Sequence, residues 1–212
     1  VRAGELAKLP VMIDFGSATP PLSLEELFMK HLRPGDIFTH PYAYFPASRE
    51  TVVDEDGKVK PFVFAAVKRG IKFDLGHGGG SFRWSQAIPS VRQGFVADAI
   101  SSDLHTGSMN SGMKDMANLM SKFLAMGLDI QEVILRSTWN PAMIINRPDL
   151  GNLSIGSEAD VAVFSLSRGD FGFLDISGEK LKGDKKFVAE LTLRAGNIVW
   201  DLNGISAPDK KW

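Results

Sequence analysis

Over the first 150 residues, short apolar runs alternate with longer stretches of helical periodicity, the pattern of βα units feeding a parallel sheet. Val11-Met12-Ile13-Asp14-Phe15 reads as a strand introduced by Pro10, and Ser17-Ala18-Thr19-Pro20-Pro21 as the loop that leaves it. Ser23 and Glu26 form a capping box for a helix with Leu24, Leu27, Phe28 and Leu32 on one face. Arg33-Pro34-Gly35 stops that helix, and Asp36-Ile37-Phe38-Thr39-His40 is a second strand. Residues 53–58 are polar and predict a solvated turn or hairpin. A helix over Pro61–Arg69 ends at Gly70. Ile71-Lys72-Phe73-Asp74-Leu75 is a third strand and runs into Gly76-His77-Gly78-Gly79-Gly80. Residues 82–93 look helical with an interruption at Pro89. Ala99-Ile100-Ser101-Ser102-Asp103 predicts a fourth strand, residues 113–126 a strongly amphipathic helix, and Asp129 the cap of another helix through Leu135.

Beyond residue 150 the texture changes. Val161-Ala162-Val163-Phe164 sits amid Gly, Ser and Asp, and residues 187–194 alternate. Ala195-Gly196-Asn197 joins them to Ile198-Val199-Trp200 as a hairpin. The pattern predicts an α/β unit over residues 1–150 and a small β subdomain over 151–212, with a frayed tail at 208–212.

Composition narrows the function classes. Lys+Arg number 24 against 25 Asp+Glu, so the basic excess of a nucleic-acid binder is missing. With no Cys, disulfides, thiolate metal sites and cysteine nucleophiles are excluded. No apolar run approaches the roughly 18 residues of a membrane helix. The chain starts Val1-Arg2-Ala3-Gly4, without Met or a targeting segment, and is expected to be part of a longer protein.

Each predicted strand ends in a residue fit for metal or acid-base work: Asp14, His40, His77 and Asp103, spaced by roughly one βα unit. In barrels of this type successive side chains converge at the C-terminal ends of the strands. Convergent imidazole and carboxylate suit a divalent metal, which lowers the pKa of a bound water enough for attack near neutral pH. Each residue also has a plainer reading. His40, before Pro41, also reads as a strand-end histidine bonded to backbone, Asp103 as a turn residue, and Asp14 as a buried acid satisfying loop amides. Asp74 reads as structural, His31 as a surface residue, and Met113, Met116, Met120 and Met126 as core. The His77-Gly78-Gly79-Gly80 run is also the letter pattern of an α/β-hydrolase oxyanion loop, but no Gly-x-Ser-x-Gly elbow accompanies it. Nor does a Gly-Lys-Ser/Thr support a phosphate loop. Close approach of substrate to backbone is the remaining use of these glycines.

The runs 32–40 (Leu-Arg-Pro-Gly-Asp-Ile-Phe-Thr-His), 73–78 (Phe-Asp-Leu-Gly-His-Gly), 100–105 (Ile-Ser-Ser-Asp-Leu-His) and 120–127 (Met-Ser-Lys-Phe-Leu-Ala-Met-Gly) occur in this order. Together with Thr138-Trp139-Asn140-Pro141-Ala142 and the stretch from Gly151 to Val161, they resemble the amidohydrolase superfamily. More narrowly, they resemble its dihydroorotase-like amidohydrolase/deacetylase group. The resemblance implies the C-terminal half, strands five to eight, of a TIM-type (β/α)8 barrel followed by part of a β-sandwich. It implies one or two divalent metal ions, usually zinc, with His40 as ligand of one. Asp103 would bind the other and take the proton from the attacking water. Substrate binding would fall on His77 and Gly78, with His105 as a further substrate-side or solvent-facing residue. Asp14 stands where the group carries His, so a carboxylate either replaces imidazole as ligand or marks an altered site. The group's His-x-His pair and carboxylated Lys would lie upstream of Val1.

The implied reaction is hydrolysis of an amide or ester in a small acylated compound, deacetylase-like. Cyclic amides, as in dihydroorotase or hydantoinase relatives, are the second substrate class, and a non-catalytic relative with a degenerate metal site is the competing class. A metal-free Asp14–Asp103 carboxylate pair would leave His40 without a task. The expected partners are the substrate and the missing N-terminal half of the barrel, with a homo-oligomer compatible and neither nucleic acid nor membrane. A cytoplasmic location is favoured, although a signal upstream of Val1 would not be visible.

Overall fold

The computed structural model describes residues 1–14, 16 and 18–210. Phe15 of the first predicted strand, Ser17 of its loop, and residues 211 and 212 of the predicted tail lie outside the described residues. The chain opens with helix α1 (Arg2–Ala7) and strand β1 (Met12–Ile13). Helix α2 (Leu24–Glu26) begins where the cap pattern places it, with the Ser23 hydroxyl accepting from the Glu26 amide at 3.1 Å. The remaining orphan amides go to a distant acid. Leu24 and Glu25 donate to the Glu50 carboxylate at 3.0 and 3.3 Å. The helix then widens into a π turn, Leu27–His31.

Strand β2 (Ile37–Thr39), helix α3 (Pro61–Arg69) and strand β3 (Lys72–Asp74) follow in βα order. The three strands lie parallel in the order β1-β2-β3, with Met12 opposite Ile37 and Phe38 opposite Phe73. The predicted fourth strand contracts to a single parallel bridge between Asp74 and Ala99. Residues 101 and 102 still track the 76–78 loop, because His77 donates to the Ser101 carbonyl at 3.2 Å and Gly78 to that of Ser102 at 2.9 Å. Regular pairing ends there because glycine backbone, bent into positive φ at Gly76 and Gly78, replaces extended chain.

Helix α4 (Trp84–Arg92) passes through Pro89 without the predicted interruption. One lost backbone bond is tolerated where Ala87 and Ser90 on either side are fully buried. Helix α5 (Met116–Ala125) starts three residues later than expected, because Asp115 caps it by accepting from the Asn118 amide at 2.7 Å. Helices α6 (Ile130–Ser137, capped by Asp129) and α7 (Trp139–Ile144) complete the helical part. The second sheet is antiparallel: β4 (Val161–Leu174), β5 (Lys180–Arg194) and β6 (Asn197–Asp201). Its long β4–β5 ribbon far exceeds the predicted segments. Helix α5 packs on β5, and the Ser121 hydroxyl accepts from the Phe187 amide at 2.9 Å. No helix among the described residues is long and apolar enough to cross a membrane.

The core is a relay of rings. Phe28 meets Phe38 and Phe73 edge-on at 4.8 and 5.4 Å, and Phe73 meets Phe95 at 4.9 Å. Tyr42 bridges Phe95 and Phe82, and Phe82 stacks on the His77 imidazole at 4.5 Å. Packing thus runs without a break from the π turn at Phe28 to the glycine loop, so the loop inherits the rigidity of the core.

The opposite, N-terminal end of the sheet is clamped by acids. Asp98 accepts from the Phe73 amide at 2.9 Å. Asp36 accepts from the Val11 amide at 3.0 Å and from the Arg33 amide and guanidinium at 2.6–2.9 Å. Burial alone would raise the Asp36 pKa, but the Arg33 and backbone bonds bring it down to about 2. Its stabilisation is therefore complete above the ordinary carboxylate value and fades as pH falls through about 2. Asp36→Asn is expected to cost about 1–3 kcal/mol in urea unfolding at pH 7. The deficit should shrink towards zero near pH 2.

Candidate active site

Three of the four strand-end residues, Asp14, His40 and Asp103, lie at the open end of the sheet. His40 leaves β2 with φ +62 and Asp103 leaves the bridged segment with φ +47, a left-handed backbone that non-glycine residues rarely adopt. Such strain persists only where surrounding bonds impose it, and it gathers at functional sites. At His40 the bonds are visible. Its amide donates to the Asp74 carbonyl at 3.1 Å, and its own carbonyl accepts from Arg49 Nη2 at 2.8 Å and from the Ala43 amide at 3.2 Å.

Both side chains rest on glycine. A β-carbon at Gly76 would come within 2.6 Å of His40 Nδ1, and one at Gly78 would collide with Asp103 Oδ2. Gly76 and Gly78 also hold φ of +49 and +51. The loop 76–80 is thus a ledge on which the imidazole and the carboxylate are seated, and a side chain at Gly76 or Gly78 would displace its occupant and strain the backbone.

The chemistry of His40 is set by its partner. Nδ1 lies 2.6 Å from the Gly76 carbonyl, an acceptor, so Nδ1 carries the proton and Nε2 is left with its lone pair. Nε2 faces Asp14 Oδ1 at 3.5 Å. Asp14 is 69% exposed, which corrects the reading of it as a buried acid. Arg49, which the sequence reading missed, is buried beside this pair and lies over the Phe38 ring at 5.5 Å. Burial pulls its pKa down to about 10, against the charge of Asp14. A lone Arg in the segment 41–51 carried no signal of that position.

Asp103 is exposed, and the loop after it is built around the buried Ser108, whose hydroxyl accepts from the His105 amide at 2.9 Å. His105 lies against the ledge one residue further on, its Nε2 3.3 Å from where a Gly79 β-carbon would be. Its Nδ1 accepts from the Gly107 amide at 3.2 Å, which puts the proton of the neutral ring on Nε2. Asp103 and His105 therefore lie over adjacent glycines.

His77 does not join them on the open face: its imidazole is 0% exposed and turned into the core. Nδ1 lies 2.9 Å from the Gly78 carbonyl, and Nε2 lies 2.7 Å from Lys122 Nζ. Burial first, then the Lys122 charge, lowers the His77 pKa to about 3, so the ring stays neutral. Lys122 is equally buried and also donates to the Gly112 and Leu174 carbonyls at 2.7 and 2.6 Å. Desolvation brings its pKa down to about 7. The Leu174 carbonyl is held in place by the neighbouring turn, where Asp175 accepts from the Trp84, Ser177 and Glu179 amides. Asp74 accepts from the Thr39 hydroxyl at 2.8 Å and faces the interior.

A divalent ion is compatible with part of this arrangement. The Nδ1-protonated His40, anchored on a carbonyl, is the form in which a histidine presents Nε2 to a metal. Asp14 supplies a hard oxygen donor beside it, and Asp103 a second carboxylate further along the ledge. Among the described residues no group of three His, Cys, Asp or Glu converges on one point. The chain therefore offers a partial donor set.

With that geometry in place, the likeness to known proteins is informative. The family model described as "Amidohydrolase family" matches residues 82–199, more than half of the chain. A deacetylase from Brucella anthropi is 32% identical over 186 residues, covering 88% of this chain and 45% of its own length. A deacetylase from Agrobacterium fabrum is 32% identical over 178 residues, covering 84% and 42%. The chain spans about half the length of the curated relatives it matches. Among solved structures, an adenine deaminase superposes with a TM-score of 0.83 at 29% identity, and a dihydroorotase with 0.78 at 32% identity. In both, 93% of this chain matches 52% of the other, consistent with part of a TIM barrel. The family model and these relatives agree with the sequence motifs: the chain belongs to the amidohydrolase family.

Proposed function

We propose that this chain supplies the strand five to eight side of a metal-dependent amidohydrolase site that deacylates a small N-acyl or O-acyl compound. The observation that carries the reading is the seating of His40 and Asp103, both in left-handed backbone, on Gly76 and Gly78, where a β-carbon would displace them. The deacetylase names of the relatives support the acyl substrate. Amidohydrolases generally use divalent metals, and zinc suits a nitrogen and oxygen donor set. His40 Nε2 and Asp14 would hold such an ion. When bound, it supplies Lewis acidity towards a carbonyl oxygen and lowers the pKa of water.

The chain's own residues do the rest. Asp103, exposed over Gly78, accepts the proton of the attacking water and returns it to the leaving nitrogen or oxygen. The bare backbone of residues 78–80 lets an acyl group approach closely. His105 Nε2–H, directed from the neighbouring position, donates to a polar atom of the substrate. The similarity to a dihydroorotase favours one second reading, a cyclic amide as substrate.

Three outcomes test the proposal on the protein. Chelation should abolish hydrolysis of N-acetylated or O-acetylated small compounds, and added zinc should restore it. No stoichiometric metal, with no hydrolysis in added zinc, would instead make the protein a non-catalytic relative. Hydrolysis confined to five- and six-membered cyclic amides would select the second reading. Asp103→Asn should lower kcat by about 10²–10⁴-fold while the unfolding midpoint stays put. Gly78→Ala should lower kcat by about 10²-fold through displacement of Asp103, and destabilise the fold by about 1–2 kcal/mol through its left-handed φ.

A further inference from the structure

We propose that Lys122 is a positioning residue for hydrolysis: through its bond to His77 it fixes the glycine ledge that seats His40 and Asp103. The inference rests on the acyl-hydrolase reading only for its kinetic consequence; the Lys122–His77 bond stands on its own geometry. An ammonium has three protons, and Lys122 finds three acceptors at 2.6–2.7 Å: His77 Nε2, the Gly112 carbonyl and the Leu174 carbonyl. Each acceptor lies on a different part of the chain. His77 is in the ledge, Gly112 is in the segment that returns from His105 to α5, and Leu174 is the last residue of β4. The rings of Phe82 and Trp84 face the ammonium at 5.1 and 5.7 Å. One side chain on α5 therefore ties the ledge, the Asp103–His105 loop and the second sheet together.

The energetics argue against a role in stability alone. Among the described residues no carboxylate is in ion-pair contact with Lys122; the Asp175 charge favours its ammonium from beyond contact distance, and the groups that touch it are carbonyls, an imidazole and ring faces. Burying an ammonium this way is costly, and a methionine of similar length would fill the space more cheaply. What a methionine could not do is hold three segments in register. His77 transmits that register, because its second nitrogen is bonded to the Gly78 carbonyl and its face is stacked on Phe82. The next contact along the chain is Gly78 under Asp103.

The test separates this role from ring chemistry at His77. In the wild-type protein, long-range proton–nitrogen NMR is expected to show His77 as the Nδ1–H tautomer, with Nε2 as acceptor. The Nε2–H tautomer would overturn the proposal without any variant being made. His77→Gln keeps an acceptor for Lys122 and should hold kcat within about threefold, whereas His77→Leu and Lys122→Met should each lower kcat by about 10²-fold with KM nearly unchanged. In the Lys122→Met background, His77→Gln and His77→Leu should become indistinguishable. Equal losses for His77→Gln and His77→Leu in the wild-type background would overturn the proposal. The amide resonances of Gly78 and Asp103 should move alike in Lys122→Met and His77→Leu; unmoved resonances would also overturn it. Should the protein lack acyl hydrolysis altogether, the functional reading fails, and the tautomer and the resonances still decide the positioning claim.

Discussion

The close approach of side chains to backbone at Gly76 and Gly78 is the constraint on which the rest of the site depends. A β-carbon at either position would occupy the space of His40 or Asp103. Both glycines also need positive φ, so the ledge bends away from regular strand. That bend ends regular pairing with the fourth predicted strand after one bridge, while the bonds of Ser101 and Ser102 to the 76–78 loop carry the chain on to Asp103. The geometry that weakens the sheet locally is the geometry that creates the site.

Such a weak edge has to be held from behind. Three supports do so: the ring relay from Phe28 to His77, Arg49 on the carbonyl of His40, and Lys122 on His77. Two of these are buried cations, an expensive choice in a small core. Both end on groups that touch the ledge or its occupants. At the other end of the sheet the same task falls to carboxylates, with Asp36 and Asp98 holding the amides of neighbouring strands. Acids secure the N-terminal end of the sheet and basic side chains the open end, where His40, Asp14 and Asp103 lie.

The strand ends and the polar residues that close them were legible in the sequence because βα periodicity and terminal polar residues are local signals. The places of His40 and Asp103 at the open end were found that way, and so was the cap at Asp129. The burial of His77 was not, since a histidine between glycines reads the same whether its ring turns to solvent or to core. Its partner Lys122 had a faint signal: it interrupts an otherwise apolar helix face between Leu119 and Phe123. The long β4–β5 ribbon escaped because its Lys, Gly and Asp residues are largely open to solvent and do not alternate cleanly. The Asp175-Ile176-Ser177-Gly178 turn was its one readable mark, with Asp175 accepting the Ser177 and Glu179 amides. Helix α4 ran through Pro89 because tertiary packing outweighed one lost hydrogen bond.

The proposed site requires that this ledge present His40 as a metal ligand beside a catalytic carboxylate. A crystal structure of the zinc-loaded protein, with the ion located by anomalous scattering, tests it most directly. The expected result is an ion at about 2.0–2.1 Å from His40 Nε2, with Nδ1 still on the Gly76 carbonyl. A zinc-loaded protein whose ion lies elsewhere, with His40 Nε2 uncoordinated, would contradict it.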